Sequence, residues 1–250
     1  MAKPKILLFD IETTPNLAYV WGKWQQNVIS FKQEWELLSF AYKWLDQPNV
    51  YCVTRPEFKD KTDQSITKAL WKLLDEADLI IAHNGDEFDV KKAKAKFIEH
   101  GLKPPSPYKT IDTKKVAKTF KFNSNSLDDL GRTLKVGKKL KTGGFDLWLN
   151  CMSGDKKAWA KMAEYNKQDV LLLEKVYLKL RPWIQNHPNL AQFHMDNFNH
   201  TCPKCNSTRL KSKGLARTKV STYRRYVCMG CGGYCRARLP EKNRPKFVNI

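Results

Sequence analysis

The 250-residue sequence predicts an α/β domain, a mixed five-stranded sheet with flanking helices, followed by a small metal-bound C-terminal module. Three observations carry this reading. Apolar runs of strand length come first as a group of three and then alternate with helix-length amphipathic segments, the pattern of a mixed sheet with helices packed on it. A composition of 42% apolar, 12% aromatic and 28% charged residues is enough for a packed core. Beyond residue 200, cysteines recur in two close pairs within a stretch that has little apolar mass of its own.

The elements follow in order. Lys5 to Ile11 is a nearly continuous apolar run ending in acids, a central strand buried on both faces. Leu38, Phe40, Tyr42 and Trp44 alternate with period two and are expected on one face of a second strand. Gln47-Pro48-Asn49 turns the chain into a third strand, Val50 to Thr54. Ser65 to Ala77 reads as a helix with Ile66, Leu70, Leu73 and Leu74 on one side. Leu79 to His83 is a fourth strand, and Asp86 to His100 a helix that stops at Gly101. Three prolines make 103–108 a loop, and Thr110 to Asp112 a short fifth strand. Lys135 to Gly144 is a basic, glycine-containing loop, and Lys156 to Leu180 one long helical region ended by Pro182 and Pro188. The expected organisation is a domain over 1–186, a linker over 187–200, a small domain over 201–240 and a basic tail over 241–250.

The formal net charge is +20. Residues 200–250 hold 13 basic residues against Glu241 and contribute +12, and residues 1–199 contribute +8. Such an excess favours polyanions, nucleic acid above all. No apolar run approaches the roughly 18 residues a membrane span needs, so no membrane partner is expected. The start of the chain lacks a signal-peptide pattern, which points to a cytoplasmic location, the host's if the gene is viral. In a reducing cytosol the seven cysteines are metal ligands or buried thiols.

Acids stand where a purely structural domain gains nothing from them. Asp10 and Glu12, two apart at a strand end, point to one face and repel unless a divalent cation lies between them. Asp89 falls in the first turn of a helix, after Asn84 and Phe88. Taken alone, that placement fits helix-dipole complementation. Tyr165 and Asp169, four apart, stack on one helix face. In this order the three pieces resemble the DEDD superfamily of 3′→5′ exonucleases, in the branch with tyrosine in its third motif, and the exonuclease domain of family B DNA polymerases. Phe9-Asp10-Ile11-Glu12-Thr13 carries the first motif, Asn84 to Asp89 the second and Tyr165 to Val170 the third.

The resemblance covers residues 5–185. It implies a ribonuclease H-like fold and a hydrolase acting on the 3′ end of nucleic acid, DNA before RNA. It implies that Asp10, Glu12, Asp89 and Asp169 hold two Mg²⁺ or Mn²⁺ ions for an in-line displacement at phosphorus, and that Tyr165 orients the attacking water. The sister branch has histidine five residues before the last Asp; here that position is Glu164. No polymerase domain is visible, so a proofreading role needs a polymerase or other replication protein in trans. Two rivals are a structure-specific endonuclease on the same fold, which usually carries its second acid on a helix, and a non-catalytic nucleic-acid-binding module.

Cys202, Cys205, Cys228 and Cys231 form two Cys-x-x-Cys turns, the pattern of a zinc ribbon with one structural Zn²⁺. Cys235 is an alternative fourth ligand, whereas Cys52 and Cys151 read as buried thiols. Basic residues interleaved with Tyr223, Tyr226 and Tyr234 suit phosphate contact with base stacking. The expected nucleic-acid contacts are Asn84, Phe88, Arg217, Lys219, Arg224 and Arg225.

Overall fold

The computed structural model describes residues 3–24, 27–58, 60, 62–193 and 200–241. Most of the expected basic tail and 194–199 of the expected linker lie outside the described residues. The chain divides into two compact units, Lys5–Val176 and Tyr177–Ile250 with the first four residues. The division falls inside a single helix.

In the first unit the strands are β1 (Ile6–Thr13), β2 (Leu17–Tyr19), β3 (Ser30–Gln33), β4 (Leu37–Trp44), β5 (Tyr51–Thr54), β6 (Leu79–Ala82) and β7 (Lys109–Asp112). The helices are α1 (Gln64–Glu76), α2 (Asp89–Glu99), α3 (Thr113–Ala117), α4 (Leu127–Thr133), α5 (Asp146–Met152) and α6 (Lys156–Leu180), which ends in the second unit. Five strands form one mixed sheet in the order β5-β4-β1-β6-β7. β1 lies antiparallel to β4 and parallel to β6, so the sheet is mixed, as expected. It is central because Leu7, Leu8 and Phe9 are all fully buried, which only a strand covered on both faces allows.

Leu7, Phe9 and Ile11 pack on one face of the sheet with Ile66, Leu70 and Leu74 of α1 and Val90, Ala93 and Phe97 of α2. β4 departs from the alternation read for it. Phe40, Tyr42 and Trp44 belong to this cluster, but Leu38 packs on the opposite face with Leu147, Cys151, Ala158 and Met162. A β-bulge explains the switch: Ser39 pairs with Glu12 and Leu37 with Thr13, so Leu38 is the extra residue. The second face is covered as well. Its polar residues are buried and partnered, Ser39 donating to Asn166 at 3.1 Å and Lys43 meeting Glu174 of α6 at 2.6 Å. α2 begins at Asp89 rather than Asp86, because the amides of Glu87 and Phe88 close a turn onto the Asn84 carbonyl first.

The second unit carries the end of α6 and a three-stranded antiparallel sheet, β8 (Leu210–Arg217), β9 (Thr222–Cys228) and β10 (Tyr234–Arg236), in the order β10-β9-β8. Tyr177 is fully buried, and its hydroxyl pairs with His187 Nε2 at 2.9 Å. Among the described residues no helix is long and apolar enough to cross a membrane.

Candidate active site and cysteine centre

Alternation along β1 places Leu7, Phe9 and Ile11 in the core, and therefore Asp10 and Glu12 on the opposite, α6-covered face. Helical spacing puts Tyr165 and Asp169 on one side of α6. Donor oxygens of Asp10, Glu12 and Asp169 lie within 4.8 Å of one another. Asp89, at the start of α2, is 2% exposed, and its Oδ1 accepts the Ile11 amide at 3.0 Å. That bond ties the second motif to the strand of the first and places Asp89 beside the three-carboxylate group.

Two residues that the sequence does not single out complete the site. Asn166 is fully buried and donates to Asp10 Oδ2 at 2.8 Å and to the Asp10 carbonyl at 3.3 Å. Its own amide oxygen accepts from Ser39, so a chain of bonds fixes the Asp10 rotamer. Lys139, from the basic loop, lies 2.6 Å from Asp169 Oδ2 and donates to the Tyr165 hydroxyl at 3.0 Å. Tyr165 also meets Trp148 edge-on, with ring centroids 6.2 Å apart. Neither Asn166 nor Lys139 has a periodic or spacing signal. Asn166 lies inside the third motif, and Lys139 is one lysine of a basic loop.

The electrostatics are those of a site built for added positive charge. Burial, then the charges of Asp89, Glu12 and Asp169, hold the Asp10 carboxyl well above the usual carboxylate range. Burial and the Asp169 charge push Glu12 up to about 8. Burial pushes Asp89 up to about 7 despite the Ile11 amide. Asp169 is raised by burial and relieved only in part by Lys139. Burial and the Asp169 charge likewise raise the Tyr165 hydroxyl, which therefore stays protonated at neutral pH. Asp169 Oδ1 is buried and accepts no hydrogen bond. Crowded carboxylate oxygens with an orphaned buried acceptor fit a hard divalent cation.

The neighbourhood of the second motif is held by Asp112, whose Oδ1 accepts the amides of Asn84 at 2.9 Å and Lys114 at 2.9 Å. Asn84 adopts φ 67°, which asparagine tolerates better than most side chains. Phe88 is 37% exposed at the start of α2. His83 is not placed among the carboxylates: Nδ1 pairs with Thr113 Oγ1 at 2.9 Å, and burial pulls the imidazole down to about 4. A separate group, Asp63, Glu99 and His100, is internally satisfied. Asp63 accepts the Leu37 amide at 2.7 Å and pairs with His100 at 2.7 Å, which makes it a structural tie.

In the second unit the four sulfurs of Cys202, Cys205, Cys228 and Cys231 lie within 4.8 Å of one another. Cys202 and Cys231 Sγ are 3.7 Å apart, and Cys205 and Cys228 Sγ 3.6 Å. A tetrahedron with metal–sulfur bonds of about 2.3 Å has edges of about 3.8 Å, so the spacing fits Zn²⁺. Burial pushes the Cys228 thiol up, but backbone amides of Cys231 and Gly230 outweigh it and bring the group down to about 7. Cys235, on β10, is not among the four. Arg217 and Lys219 are exposed; Arg224 pairs with Glu241 at 3.1 Å, and Arg225 lies over the Tyr234 ring at 5.7 Å.

Comparison with known proteins bears on the first unit. A family described as the RNase_H superfamily matches residues 7–181. Among solved structures the chain is similar to a family B DNA polymerase from the hyperthermophilic archaeon Pyrobaculum calidifontis, with a TM-score of 0.55 and 15% identity over 73% of this chain. At that identity the likeness is one of fold, and the chain spans 25% of that polymerase. No curated protein sequence matches.

Proposed function

The chain belongs to the RNase H superfamily, and on that premise we propose that it is a metal-dependent 3′→5′ exonuclease acting on DNA. The observation that carries the proposal is the gathering of Asp10, Glu12 and Asp169 within 4.8 Å with Tyr165 one helical turn before Asp169. Asp10, Glu12, Asp89 and Asp169 would hold two Mg²⁺ or Mn²⁺ ions. Such ions, when bound, make hydroxide available near neutral pH and offset charge on the departing 3′ oxygen.

The protein's own groups do the rest. Asn166 keeps Asp10 aimed into the site, and the Ile11 amide does the same for Asp89. The protonated Tyr165 hydroxyl orients the attacking water by hydrogen bonding and does not abstract its proton. Lys139 fixes that hydroxyl and brings positive charge into the site beside Asp169. Asn166 and Asp89 are buried and Asp10, Tyr165 and Lys139 half-buried, so bulk water screens their field less than it would at an open surface. The cysteine centre takes one structural Zn²⁺, and its basic, tyrosine-bearing strands contact nucleic acid in their own right.

Incubation with Mg²⁺ or Mn²⁺ and four substrates tests this: 5′-labelled linear single-stranded DNA, its circle, the matched RNA and the matched duplex. A ladder shortening from the 3′ end with an intact circle is expected. A cut circle means an endonuclease. Tight binding without any cleavage means a binding module.

A further inference from the structure

The segment between the first motif and β4 takes no part in the chemistry and adds little to the core, yet it holds much of the molecule's exposed apolar surface. Tyr19 is 58% exposed, Trp21 91% and Phe31 49%, and Leu17, Val20 and Ile29 are also exposed. β2 and β3 pair antiparallel, Ala18 opposite Phe31 and Tyr19 opposite Ser30, so Tyr19 and Phe31 stand on opposite faces of the ribbon. Every residue of both strands is exposed. A two-stranded ribbon open on both sides is marginal by itself, and a solvated loop needs none of these side chains. Apolar surface of this density marks a binding surface.

Three features say what it binds. The first is position. Leu17 is five residues beyond Glu12, at most about 18 Å of extended chain. The root is fixed by the Thr14 amide on the Glu36 carbonyl at 2.9 Å and the Trp35 amide on Asn16 Oδ1 at 2.7 Å. The second is charge. Lys92 of α2 sits 3.7 Å over the Trp35 ring and 5.1 Å over Phe88, joining the hairpin root to the helix that starts at Asp89; Lys23 and Lys32 lie in the hairpin itself. The third is continuity. An open cleft of about 710 Å³ runs from Thr14, Leu17 and Gln33 to Met152 and Trp159, which pack in the same cluster as Tyr165. Aromatic faces edged by lysines suit bases stacked along a phosphate backbone.

We propose that the β2–β3 hairpin is a wedge that stacks unpaired bases of the strand whose end occupies the carboxylate site, with Tyr19 on one face, Phe31 on the other and Trp21 just beyond the end of β2. The proposal rests on the nuclease reading for where that strand ends, but its test reads binding and cleavage apart. Binding of a 5′-fluorescein-labelled 15-nucleotide oligo(dT) without added Mg²⁺ or Mn²⁺ is read by fluorescence anisotropy. Trp21→Ala and Phe31→Ala should each weaken it about tenfold, the ~1.4 kcal/mol of one stacked base, and Trp21→Phe should restore most of the loss. With Mg²⁺, cleavage of a dinucleotide, too short to reach the hairpin, should stay within about twofold of the parent. Unchanged oligonucleotide affinity in both alanine variants overturns the proposal. So does dinucleotide cleavage falling as far as oligonucleotide affinity. A parent that sediments as a dimer, dispersed by Trp21→Ala with DNA affinity unchanged, also overturns it and makes the hairpin an interface between copies. A chain that binds through the hairpin yet cleaves nothing refutes the nuclease reading alone.

Discussion

The carboxylate site and the cysteine centre both gather ligands for a divalent cation, and they do so in opposite ways. Asp10 and Asn166, 156 residues apart in sequence, meet because a buried sheet and a long helix already exist to carry them. The core of Leu7, Phe9, Leu70 and Phe97 holds that frame whether or not a cation is present, and the frame carries the unfavourable crowding of buried acids. In residues 200–241 the buried positions are Cys202, Lys204, Cys228 and Gly233. There is no comparable apolar centre there; the sulfurs occupy the place where one would be. One site is mounted on a fold, whereas the other stands where a core would be, which makes bound zinc the expected source of its sheet's stability.

Deleting one ligand from each site breaks or upholds that contrast. Cys228→Ser should release the zinc and unfold β8, β9 and β10, since structural zinc supplies about 10–16 kcal/mol in small modules. Amide signals of the β5-β4-β1-β6-β7 sheet should keep their dispersion. Elemental analysis and two-dimensional NMR read both. Asp10→Ala should do the reverse: cleavage falls by at least about a thousandfold, while the melting temperature of the ion-free protein stays or rises, because one member of a repelling set is gone. A variant that unfolds on losing Asp10, or a ribbon that keeps its dispersion without zinc, would put the two sites on the same footing.

Tyr165→Phe sharpens the mechanism within the first site. It deletes one hydroxyl and keeps the ring against Trp148. The rate should drop about 10- to 100-fold, with the Mg²⁺ concentration for half-activity unchanged, as expected of a group that positions water. An unchanged rate removes the role.

The contrast also decides what the sequence could reveal. Turn-borne ligands announce themselves, so Cys202-x-x-Cys205 and Cys228-x-x-Cys231 needed only spacing. The central strand was legible because burial on both faces leaves an unbroken apolar run, and Asp10 and Glu12 stood out by interrupting it. The five strands and α6 followed from length and period. What escaped depends on tertiary contact. The switch of Leu38 comes from a bulge, which leaves no mark in an alternation of apolar residues. Lys139 reaches Tyr165 across 26 residues that include α5 and the start of α6, and its partners do not exist until the fold does. Asn166 looks like any polar residue of an amphipathic helix until Ser39 and Asp10 are found on either side of it. The β2–β3 hairpin was invisible for a related reason: with both faces exposed, it carries no inside–outside pattern.

The smallest expected effect concerns the frame beneath the carboxylate site, at the end of β6. His83 is held neutral, with its imidazole pulled from the usual 6.5 down to about 4, chiefly by burial, while the nearby Asp112 charge opposes the shift. Because the folded state disfavours the charged form, the stability this residue contributes is fully present above about pH 6.5. It is lost as pH falls through the window between 6.5 and 4. At pH 5.5 the loss should be about 1 kcal/mol. His83→Asn keeps a polar group near Nδ1, facing Thr113 Oγ1, and removes the titration. Between pH 7.5 and 5.5 the parent should therefore lose about 1 kcal/mol more than the variant, read by hydrogen exchange of β6 and β7. The acids work in the other direction: Glu12 and Asp89 are raised, so their mutual repulsion is relieved over the same descent in pH. The parent–variant difference cancels that term. Equal slopes in parent and variant would mean that His83 is charged in the folded protein, and that the burial assigned to it at the end of β6 is wrong.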